Sequence, residues 1–72
     1  MTGLGEWLRR KMDENSKSTS QVAEAVGVAA NTVTAWRTGR RTPSAESSRR
    51  LAEVFSTDED EVLRLSGWSN EK

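Results

Sequence analysis

A chain of 72 residues suffices for one small domain with a modest hydrophobic core, since only 33% of its residues are apolar. It has no cysteine and no histidine, which excludes disulfides and thiolate metal sites and removes the commonest general base and metal ligand, so neither a cofactor, a metal nor an enzymatic reaction is expected. Eleven basic side chains balance 11 acidic ones, so a uniformly basic nucleic-acid binder is excluded, but a polarised one is not.

The first helix is expected over about Leu4 to Glu14, where Leu4, Trp7, Leu8 and Met12 form one apolar stripe. Arg9, Arg10, Lys11, Asp13 and Glu14 face water, and Asn15-Ser16-Lys17 reads as a polar connection. The second helix begins at Ser18, an N-cap, and Gln21 three residues later completes a capping box. Val22 and Val26 stand four apart on its inner face, beside an Ala23 small enough to let another helix approach. Gly27 follows where this helix must stop, and it takes the positive φ of a sharp turn at little cost.

Val28 plugs the corner, and Val33 and Trp36, three apart, resume the apolar spacing on a third helix that starts near Ala30. Its N-cap position is Ala29, which offers no side-chain acceptor and so forgoes on the order of 1 kcal/mol. Gly39 ends this helix, Pro43 blocks its continuation, and Ser44 caps a fourth. That fourth helix is expected to bury Ala45, Leu51, Ala52 and Phe55, with Ser48 at its margin. Asp58 with Glu61 predicts a second capping box, and a fifth helix presents Val62, Leu63 and Leu65 before Gly67 stops it. Trp68 has two readings, a hydrophobic C-cap contact on the fifth helix or an exposed anchor for a second subunit. The expected fold is all-α: five short helices and no strand, in a single domain over residues 1–72, with a core at about 4–67.

Two helices joined at Gly27 make a helix-turn-helix over residues 19–38. The stretch TSQVAEAVGVAANTVTAWRT, with Ala23, Gly27 and its fixed apolar positions, resembles the helix-turn-helix of the Cro/phage-repressor family, also called the xenobiotic-response-element family. Gly39-Arg40-Arg41-Thr42-Pro43-Ser44 is similar to that family's G-K-R-x-P-S loop, and Leu51-Ala52 and Val62-Leu63 fall where its last helices keep their core. The resemblance covers about residues 4 to 67 and implies a five-helix, lambda-repressor-like DNA-binding domain.

By that resemblance the third helix enters the major groove, with Ala30, Asn31, Thr34 and Ala35 toward the bases. The family's phosphate contacts map onto Thr19, Thr32 and the loop around Arg40 and Arg41. Asn31 is the one residue able to pair bidentately with adenine, whereas the alanine methyls can only touch a thymine methyl.

The chain departs from the family at three places. Lys17 stands at a usually apolar position, which predicts a loosely packed entry to the second helix. Ala29 stands where relatives place Ser or Thr. Met12 and Arg37 stand where many relatives pair an Arg with a Glu, so Arg37 is expected to turn outward to a phosphate.

Charge is distributed unevenly. Residues 31–50 carry Arg37, Arg40, Arg41, Arg49 and Arg50 against Glu46, whereas residues 57–72 carry five carboxylates against Arg64 and Lys72. The resulting expectation is a transcriptional regulator of repressor or antitoxin type, complete or the first domain of a longer protein. It would bind a double-stranded DNA operator as a homodimer through the region Val62 to Trp68. No apolar run is long enough for a membrane span and no secretory signal opens the chain, so a cytoplasmic location is expected. A rival reading is a protein-interaction module of the same fold without DNA binding, favoured by the zero net charge and the two alanines at reading positions.

Overall fold

The computed structural model describes residues 3–68. They form α1 (Gly3–Glu14), α2 (Thr19–Val26), α3 (Ala30–Thr38), α4 (Ala45–Val54) and α5 (Glu59–Leu65), with no strand among the described residues. Each helix sends one residue to the centre. Leu8, Val22, Val33, Leu51 and Val62 come in order from the five elements, and all are 0% exposed. Burying such side chains is the main favourable contribution in so small a domain, at roughly 1.5–3 kcal/mol each. Trp7 and Phe55 close one side of this core edge to face, with ring centroids 5.8 Å apart.

α3 lies between α1 and α2, α4 packs on α2, and α5 covers α4 while also touching α1. The contact of α1 with α3 is close. A Cβ on Gly5 would lie 2.7 Å from the carbonyl oxygen of Arg37, so only glycine lets the two backbones approach this far. Met12 is buried.

The helix starts follow the local rules, with one exception. At Ser18 the capping box is complete: its hydroxyl accepts from the Gln21 amide (3.2 Å), and the Gln21 side chain accepts from the Ser18 amide (2.8 Å). This box, with the Lys17 amide donating to the Met12 carbonyl at 2.9 Å, ties down the entry to α2 by hydrogen bonds where apolar packing is missing. Ser44 caps α4 through the Ser47 amide, and α3 begins at Ala29 with no side-chain cap.

The box expected at α5 does not form. Asp58 accepts from the Asp60 amide at 3.2 Å, while Glu61 accepts the Thr57 hydroxyl at 3.3 Å instead of reaching back to the Asp58 amide. Thr57, four residues before Glu61, competes successfully for the carboxylate.

Two burial expectations also change. Ala45 is only half-buried. Ser48 is fully enclosed rather than marginal, because its hydroxyl donates to Ser66 Oγ (3.0 Å), which in turn donates to the Val62 carbonyl (2.8 Å). This chain satisfies both hydroxyls and fixes α4 against α5.

Candidate nucleic-acid interface

α3 divides into two faces. Val33 and Trp36 point inward, while Ala30, Asn31, Thr34 and Thr38 are exposed. Offsets of one, four and eight residues place those four on one outward stripe. Ala35, expected on the same face, is half-buried and stands at its edge, as does Thr32. Without a side-chain cap at Ala29, the first amides of α3 stay open at its positive end. Thr19 is half-buried in the first turn of α2, whose first amides are likewise among the orphan donors of a helix start.

At the other end of α3, Gly39 takes φ 82° and the chain folds back, with the Arg40 and Arg41 amides both donating to the Ala35 carbonyl. Arg40 and Arg41 are exposed in this loop, and neither forms an ion pair among the described residues. Two other arginines of the basic stretch have partners. Arg49 lies 4.0 Å from Glu59, and Arg50 pairs with Glu46 at 3.1 Å while reaching the Val26 carbonyl at 3.5 Å. Unpaired positive charge in this stretch is therefore concentrated at the C-terminal end of α3 and in the loop that follows it.

Arg37 does not stand free as the sequence suggests. It is half-buried, and its Nε is shielded from water without an acceptor among the described residues.

A family profile described as helix-turn-helix matches residues 8–62, most of the chain and all of α2 and α3. The chain belongs to the helix-turn-helix family. This is the Cro/xenobiotic-response-element type, a family of DNA-binding domains. No curated protein matches the chain closely enough to be reported as a relative.

Within a helix-turn-helix domain the stretch from α2 to α3 is the recognition unit, and Gly27, at φ 92°, makes its turn. Three residues near the interface escape sequence reasoning. Thr38 shares the stripe of Thr34, a relation its four-residue spacing already contains, although its hydroxyl donates to the Thr34 carbonyl (3.0 Å). Gly5 and Arg9 border α3 from helix 1, and no local signal in the sequence marks that approach.

Proposed function

We propose that this chain is a sequence-specific DNA-binding regulator that lays α3 in the major groove of a double-stranded operator. The observation that carries this reading is the arrangement along α3. Asn31 and Thr34, both able to hydrogen-bond base edges, stand exposed on its first turns, and the unpaired Arg40 and Arg41 follow its end. From Asn31 to the helix end at Thr38 the rise is roughly 10 Å, on the scale of the major groove, so a base edge and a flanking phosphate fall within reach together. Ala30 and Ala35 supply methyl contacts, and Thr19, Thr32 and Arg37 complete the set assigned to phosphates. Arg37 is the half-buried cation of this set.

So few direct readers leave part of the specificity to DNA shape and to a second subunit. The proposed working form is a cytoplasmic homodimer of repressor or antitoxin type, joined through the region Val62 to Trp68. Enrichment of a duplex from a randomised pool, followed by mobility shift over a salt series, tests the reading. A DNA binder loses affinity steeply as salt rises. Binding that is absent, or indifferent to salt and sequence, would instead favour a protein-interaction module.

A further inference from the structure

We propose that the groove between α1 and the C-terminal end of α3 binds a small organic anion, a carboxylate, sulfonate or phosphate carried on an apolar body. The groove has a volume of about 800 Å3, in the size class of small-ligand sites. Leu4, Trp36 and Leu65 give it an apolar floor, and Arg9, Arg37 and Arg41 give it a cationic rim on which Glu6 is the only carboxylate among the described residues. None of the three arginines forms an ion pair among the described residues.

Arg37 is the deciding group. Its Nε is hidden from water and meets no acceptor among the described residues, a costly state for a donor, and a swing of the guanidinium toward the rim would let an anionic oxygen relieve it. Guanidinium groups hold carboxylates, sulfonates and phosphates through paired N–H bonds, and the floor would cover the attached alkyl or aryl group. On the α1 wall stand Gly3 and Gly5, which are closely packed. Side chains at these positions would meet Leu65 and the Arg37 carbonyl.

The groove also reaches Thr38, Gly39 and Arg41, at the end of the proposed recognition helix. A bound anion would therefore hold arginines that the duplex also needs, and the two ligands would compete. The competition rests on the DNA reading; the anion site does not.

Naphthalene-2-sulfonate serves as the probe, titrated into the full chain without DNA and followed by the amide resonances of Gly5 and Gly39. The expected result is saturable shifts at these glycines. Binding should be about tenfold weaker for naphthalene-2-methanol, which lacks the charge, and for inorganic sulfate, which lacks the apolar body. Arg37→Gln and Arg9→Gln should each weaken the probe by roughly fivefold or more, while Arg10→Gln, outside the groove lining, should bind it as the parent does.

Two rim variants guard against a folding failure at Arg37, and thermal unfolding checks each. Shifts that do not saturate, or equal probe binding by the parent and both rim variants, would overturn the site. Sulfate binding as tight as that of the probe would overturn the apolar half of the assignment. In a parallel mobility shift, probe binding that leaves duplex affinity unchanged would overturn the competition. A chain that binds the probe but no duplex would support the site and count against the DNA reading alone.

Discussion

At Gly27 the backbone sits at φ 92°, and a Cβ added there would meet only Arg50 Nη1, at an ordinary 3.8 Å. Gly27→Val should therefore cost roughly 1–3 kcal/mol through backbone strain, without the clash that a tight corner suggests. Gly5 presents the opposite case. Its backbone is helical and alanine would be the better helix former, yet its Cβ would press on the Arg37 carbonyl. Gly5→Ala should lose about 1–3 kcal/mol by forcing α1 off α3. Thermal unfolding of both variants checks the pair, and parental stability in Gly5→Ala would contradict the close crossing.

On DNA, the proposed division between positioning and reading also appears one residue at a time. Arg41→Ala should weaken every duplex alike and lower the salt slope by roughly one unit. Asn31→Ala should cost roughly 1–3 kcal/mol, mostly at one base pair, and leave the slope almost unchanged. Competition between operator and scrambled duplex distinguishes them. If Asn31→Ala discriminates as the parent does, Thr34, DNA shape or dimer spacing must carry the specificity.

Helix ends follow one pattern throughout the chain. Each of the five helices is followed by a residue in the left-handed region: Ser16, Gly27, Gly39, Ser56 and Gly67. At Ser16, Gly39, Ser56 and Gly67 the turn makes the paired bonds of a Schellman motif, such as Gly67 to Arg64 (3.1 Å) and Trp68 to Leu63 (2.8 Å). Serine at two of these positions carries strain that glycine lacks. Ser16→Gly and Ser56→Gly should each raise stability by about 0.5–1 kcal/mol, net of the extra chain entropy of glycine. At the other end of α3, Ala29→Ser should supply the missing cap and add about 1 kcal/mol. Denaturant midpoints, at constant slope, would show all three gains. A lower midpoint for either glycine variant would mean that the serine is stabilised by more than the backbone geometry reveals.

At the scale of the molecule, Trp68 is tied to the α3–α4 loop rather than laid back on α5. Its indole N–H donates to the Pro43 carbonyl at 3.0 Å, yet 47% of the residue is exposed. Val62 and Leu63 are spent on the protomer's own interior, so within the proposed dimer region Leu65 and Trp68 are the apolar groups left for a partner. The dimer proposed here must hold two recognition helices about 34 Å apart, one turn of the duplex. Trp68→Ala should shift sedimentation equilibrium toward monomer. An unchanged balance would assign the indole to packing against the α3–α4 loop alone.

The sequence by itself determined the five helices, their order and nearly all their ends. Those features depend on groups within about four residues of one another, as at Ser18 with Gln21 or at Gly27 and Gly39, and that range is visible in a string of letters. It also placed Ala30, Asn31 and Thr34 on the open face of α3, because Val33 and Trp36 fix which face turns inward. Tertiary structure decided what depends on how the helices cross. Gly5 looks like any helix-start glycine until α1 meets the Arg37 carbonyl, and Arg37 is half-buried in the packed domain. Ser48 becomes core only because Ser66, 18 residues away, supplies its hydrogen-bond partner. Arg50, beyond its local pair with Glu46, reaches the Val26 carbonyl, 24 residues distant. A polar side chain takes whichever partner the packed helices bring near, and packing of the apolar faces sets that geometry with no trace in the local sequence.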